Sequence, residues 1–186
     1  MKPLFILLLT LPFFSGQLRA QAIPPLDKSP MDMSTYPANF AGMKAQGKTV
    51  EPLLARVIYS RPQKNNRVVF GELVEYNNVW RFGANENTEI EFFSDVKISN
   101  VKIKKGRYVV FAIPAVDKWT IIINKDLNAW GSFRYNMSND LVRITVPVQK
   151  TTEIAESFYI YFEKATPGYK MIAGWDNLQV ALPISM

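Results

Sequence analysis

The chain has 186 residues, 48% of them hydrophobic, with 22 Lys and Arg against 16 Asp and Glu for a net charge of +6, and neither histidine nor cysteine. That absence excludes a Ser-His-Asp triad, a Cys-His pair, a Cys/His zinc site, a haem held by either residue, and any disulfide. Acid–base chemistry would have to fall to Asp, Glu, Lys or Tyr. No D-x-D-x-D-G loop is present for calcium, so the reading includes no metal and no cofactor. Basic residues are interleaved with acidic ones, which leaves no footprint for nucleic acid.

Residues 1–22 read as an export signal. Lys2 supplies a basic start, residues 4–14 (LFILLLTLPFF) an apolar run, and Ala20-Gln21-Ala22 a small-residue cleavage pattern. The rival reading, an uncleaved anchor, is weakened by the shortness of the run and by Pro12 within it. Cleavage leaves about 164 residues, one domain's worth, with no later segment apolar enough to span a membrane as a helix. The expected location is the periplasm or the extracellular space.

Residues 23–52, rich in Pro, Met and Ser, show no sustained period and are predicted to be an irregular segment packed on the domain. From residue 53 to 186 short apolar runs alternate with turn residues. ARVIYS, NRVVFGEL, TEIEFF, GRYVVFAIP, KWTIIIN, LVRITVPV, SFYIYFE and LQVALPI are predicted strands, favouring Val, Ile, Phe, Tyr and Thr. Val142, Ile144 and Val146 share one face opposite Arg143 and Thr145, and Phe158, Ile160 and Phe162 oppose Tyr159 and Tyr161. Together with Ile90, Phe92, Phe111, Ile121 and Ile123 these form the expected core. Turn signals at Asp95, Ser99-Asn100, Lys105-Gly106, Ser138-Asn139 and Pro167-Gly168 suit antiparallel hairpins. The expected fold is all-β, an antiparallel β-sandwich, with a closed or partly open β-barrel as the alternative.

YSRP (59–62), Arg67 and Phe70-Gly71 in RVVFG, and WRFGANENTEIEF (80–92) resemble a bacterial family of exported proteins catalogued as domain of unknown function 2911. The likeness extends upstream to LDKSPMDMSTYP and downstream through KGRYVVFAIP, KWTIIINKD, AWGSFRYN, Trp175 and VALPI, nearly the whole chain after the signal. Phe82 stands where the family has a smaller or aliphatic residue, and Asn65-Asn66 where it has a glycine before Arg67. The resemblance implies an exported all-β domain and brings no activity with it.

Candidate binding residues gather in the same motif. Arg61 precedes Pro62, Arg67 follows two asparagines, and Arg81 and Glu86 flank Gly83-Ala84-Asn85, a spacing that allows the guanidinium to hold the carboxylate while Asn85 caps the turn. Arg61, Arg81 and Glu86 are expected to converge at one end of the sandwich. Such a cluster either pins the loop as a satisfied internal network or binds an anion or sugar hydroxyls. Trp80, Trp130 and Tyr135 fall in or beside predicted loops, where rings pack inward or stack on a ligand; Trp119 and Trp175 adjoin strands and belong to the core. Glu72, Glu75, Glu86, Asp126 and Asp140 are the carboxylates from which a catalytic pair could be drawn. The leading reading is a non-enzymatic module of the cell envelope binding a small molecule, glycan or envelope protein. The alternatives are a carboxylate-based hydrolase of glycans and a purely structural module.

Overall fold

Alternating side chains in KWTIIIN, each second one apolar and β-branched or aromatic, favour an extended strand with one face turned to a core. The computed structural model, which describes residues 22–48 and 51–186, has this segment at the heart of a six-stranded antiparallel sheet. The sheet comprises β1 (Met31–Tyr36), β2 (Ala55–Ser60), β3 (Thr88–Phe92), β6 (Gly106–Pro114), β7 (Lys118–Asn124) and β8 (Asp140–Pro147), side by side in that order. Between β3 and β6 the chain makes a small hairpin, β4 (Val96–Ile98) and β5 (Val101–Ile103). The last two strands, β9 (Gln149–Lys164) and β10 (Tyr169–Ile184), form a long hairpin that makes the second layer. Among the described residues 53% are strand and 6% helix, and the sheets do not close into a barrel. It is an antiparallel β-sandwich.

The inward faces interlock. Val57, Tyr59, Ile90, Phe92, Trp119, Ile121, Ile123, Val142 and Val146 of the large sheet pack with Phe158, Ile160, Phe162, Met171, Trp175, Val180 and Leu182 of the hairpin in one buried cluster. Ten of the eleven residues expected in the core are buried; the eleventh, Ile144, is half-buried because β8 is an edge strand. The outer face of the large sheet carries a small second cluster of Val109, Phe111 and Ile122, covered by Leu127 and Tyr135. The β4–β5 hairpin joins the end of β10 through paired backbone bonds between Lys97 and Ser185 of 2.7 and 3.0 Å.

Two segments depart from the sequence reading. Within the stretch expected to be irregular, MDMSTY forms β1 and Phe40–Ala45 the short helix α1. As an edge strand with Met31 and Met33 both exposed, β1 lacks the apolar alternation that marks the others. NRVVFGEL, in contrast, looks like a strand and is not one. Asn65 and Asn66 take left-handed backbone angles (φ 49° and 58°) and Gly71 has φ 100°, so the segment curls into turns. Its amides bond within it, Gly71 to Val74 and Val74 to Val69, while Val69, Phe70 and Val74 are buried. Asparagine tolerates the left-handed region better than other side chains, which lets Asn65-Asn66 stand where a glycine is expected.

After β2 the chain changes layers. Phe158 donates its N–H to the carbonyl of Pro62 and Lys64 donates to that of Glu156, so residues 62–64 run beside β9 instead of β3. The arginine motif sits at this corner.

Candidate functional site

The corner and the loop 81–87 build the site between them. The loop folds tightly, with Phe82 and Asn85 left-handed at φ 56° and 55°, and Gly83 at φ 157°. Gly83 is required there: a Cβ would sit 3.1 Å from both the Ser60 carbonyl and Thr88 Oγ1. Three bonds hold the shape. Trp80 Nε1 donates to the Gly83 carbonyl at 3.1 Å, Thr88 Oγ1 to that of Phe82 and Gly131 N–H to that of Asn85. Trp80 is no exposed stacking platform. It is only 9% exposed and packs edge-on against Phe70, Phe82, Trp119 and Phe158, with ring centroids 5.2 to 6.1 Å apart.

The expected Arg81–Glu86 ion pair is not formed. Among the described residues neither joins any ion pair, and Arg81 Nη1 makes only a long 3.4 Å bond to the Asn85 carbonyl. The left-handed turn at Asn85 sends Glu86 to the far side of the loop, where it bridges to Trp130. Nor do Arg61, Arg81 and Glu86 join in one network. Arg61 turns away to Asp32 (2.9 Å) and the Phe158 carbonyl (3.0 Å), stapling the corner to β1 and β9. Asn85 ties the loop to the N-terminal segment through Asp27 at 2.9 Å.

The loop is instead a wall between two clefts. The smaller, about 220 Å³, is lined by Arg67, Trp80, Arg81, Gly83, Ala84 and Trp175, with Pro62 and Ser29 at its margin. Arg67 donates through Nε and Nη2 to the carbonyls of Lys64 and Gln63, neutral acceptors that orient the guanidinium without cancelling its charge. Lys64 is itself fixed by Asp176 at 2.6 Å, a pair about one-fifth exposed on each side. The larger cleft, about 420 Å³, is lined by Ile58, Tyr59, Glu86, Asn87, Asn128 and Trp130 among others. Tyr59 donates to the Ile160 carbonyl at 3.1 Å, and burial pushes its phenol above the ordinary value. Glu89, at the rim, is neutralised by Arg107 and accepts a bond from the Asn128 N–H.

Asn87 was not singled out by sequence. It is 6% exposed, and neither Oδ1 nor Nδ2 has a partner, although an unsatisfied buried polar group costs about 1–3 kcal/mol. The run Asn85-Glu86-Asn87 carries the signal, a second amide two positions after the first. Tyr135, in contrast, belongs to neither cleft. Its hydroxyl donates to Asp140 and accepts from Arg143, while its ring packs on Phe111; burial first, then the Asp140 bond, raises its pKa. Among the described residues no three carboxylates gather closely enough to hold a metal ion.

A family model described as Protein of unknown function (DUF2911) matches residues 42–184, which take in the lining of both clefts apart from Met31 and Ser29. The chain belongs to DUF2911. No curated protein and no solved structure matches it. In this DUF2911 member the matched span holds Arg61, Arg67, Trp80, Arg81, Asn85, Glu86, Trp130 and Tyr135, which the fold distributes over two clefts, one corner staple, one tie from Asn85 to Asp27 and one surface cluster. No helix among the described residues is long and apolar enough to cross a membrane.

Proposed function

We propose that this chain is an exported, non-enzymatic binding module whose Arg67–Arg81 cleft receives the anionic group of a small ligand. The observation that carries the reading is two guanidiniums lining one cleft with no carboxylate paired to either among the described residues. A structural staple spends its charge, as Arg61 does on Asp32. Arg67 keeps Nη1 and Arg81 keeps Nε and Nη2 uncommitted, and a planar guanidinium matches carboxylate, phosphate or sulfate with two parallel bonds. A volume of about 220 Å³ suits one such group and not a whole drug-sized ligand. The apolar walls of Trp80 and Trp175 strengthen the attraction by keeping water to one side.

Thermal denaturation of the protein with phosphate, sulfate, acetate and citrate tests the proposal. A hundredfold excess over Kd adds about 2.7 kcal/mol, hence about 5 °C or more in Tm for a domain of this size. The rise should vanish in Arg81→Ala and persist in Arg61→Ala. Equal responses of the wild type and Arg81→Ala to every anion would refute the reading.

A further inference from the structure

From the larger cleft we infer a second binding site, for a neutral saccharide, on the opposite side of the 81–87 loop from the arginine cleft. Its volume of about 420 Å³ falls in the range typical of small-molecule sites, roughly 300 to 1,000 Å³. Asn87 is among its lining residues, and its carboxamide, buried just behind the cleft surface in a residue 6% exposed, makes no hydrogen bond through either polar atom and is free to turn toward a ligand. A carboxamide both donates and accepts, and so matches a hydroxyl, which does the same. Glu86 adds a carboxylate that joins no ion pair among the described residues. Trp130 closes the cleft with an indole that is 56% exposed, whereas Trp80, Trp119 and Trp175 are at most 9% exposed.

These groups discriminate between ligand classes. An anion is repelled by Glu86, whose charge no cation balances among the described residues. An ammonium ion would satisfy Glu86 and the indole face but leave the Asn87 carboxamide donors without an acceptor. A sugar ring presents hydroxyls at its edge for Asn87 and Glu86, and an apolar C–H face of the kind that packs on an indole. The two clefts therefore take different chemistries, and either can be lost without the other.

The single exposed tryptophan makes the test direct. The full-length protein is titrated with glucose, galactose, N-acetylglucosamine, maltotriose, cellotriose and chitotriose at millimolar concentration, following tryptophan emission, with tetramethylammonium chloride in parallel. At least one saccharide should give a saturable blue shift. The shift should be absent in Trp130→Ala, unchanged in Arg67→Ala, and weakened about tenfold in Asn87→Ala, the loss expected for one hydrogen bond. Should Asn87→Ala fail to fold, Trp130→Ala and Glu86→Gln carry the test, since both positions are exposed. Silence toward all six saccharides, a response that survives in Trp130→Ala, or saturation by tetramethylammonium alone overturns the assignment.

Discussion

Four tryptophans separate two kinds of residue. Trp80 sits where rings of Phe70, Phe82, Trp119 and Phe158 meet, and it also holds the loop through the Gly83 carbonyl. Trp80→Ala should therefore cost about 3–5 kcal/mol in chemical denaturation, while Trp130→Ala, at an exposed position, should stay within about 0.5 kcal/mol of wild type. Both stand in what reads as loop sequence, so neighbouring residues alone do not distinguish them. Glu86→Gln should likewise leave stability within about 0.5 kcal/mol, because Glu86 is exposed and balances no guanidinium among the described residues. A loss of several kcal/mol would instead reveal a counter-charge role for Glu86. The Arg81–Glu86 pair illustrates what spacing hides: five positions of separation permit an ion pair, but the φ of one residue, Asn85, decides which side of the loop the carboxylate reaches.

At the level of elements, β7 was readable because its central residues are β-branched or aromatic, with Trp119, Ile121 and Ile123 buried on one face and Ile122 on the other. β1 was not, because only Tyr36 of its six residues is buried while Met31 and Met33 are exposed. NRVVFGEL misled for the opposite reason: its composition is that of a strand, but two left-handed asparagines and Gly71 turn it into a compact knot. The meeting of Arg67 with Arg81 was also invisible, since it depends on the chain leaving β2 for β9 at Pro62. That crossing is secured by Lys64 and Asp176, which reaches from a register shift in β10 where Asp176 itself has φ 56°. Removing either partner alone, as Lys64→Met or Asp176→Ala, should destabilise the fold by about 1.5–3 kcal/mol, the value of a charged hydrogen bond. The double mutant should lose less than the sum, and a double-mutant cycle in urea measures the coupling. Strict additivity would show that the pair contributes nothing.

For the whole molecule, the lack of histidine removes the side chain that ordinarily titrates near neutrality. Stability should be flat from about pH 6 to 8. The alkaline side differs. Burial raises the phenols of Tyr169 and Tyr59, and raises Tyr161 to about 12, above an ordinary value of 10.0. A raised phenol favours the protonated folded state, so its contribution is complete below pH 10 and is lost as pH rises from there toward the folded values. Urea midpoints should therefore fall between about pH 9.5 and 11.5, and Tyr169→Phe should blunt the fall; a midpoint independent of pH in that window would contradict the burial of the Tyr169 and Tyr59 hydroxyls. Asp95, held below its usual range by the Lys105 N–H and then by Lys104, acts oppositely, favouring the fold above about pH 4 and ceasing to do so as acid protonates it. Residues 1–21, all but the last position of the expected export signal, lie outside the described residues. Mass spectrometry of protein expressed in a bacterium should find a chain beginning near Gln21 or Ile23, and an intact Met1 on membrane-bound protein would favour the uncleaved anchor.

Chain order gives the register shift at Asp176 one more consequence, in time instead of space. The ribosome makes the three arginines early, all before residue 82. Yet the arginine cleft needs Trp175 as a wall, and the turn that aims Arg67 needs Asp176 to hold Lys64. A nascent chain halted at residue 170 possesses both guanidiniums of the cleft but lacks its Trp175 wall. The cleft comes into being only when β10 has been made, so the anion capture proposed for it would report that synthesis has passed this strand.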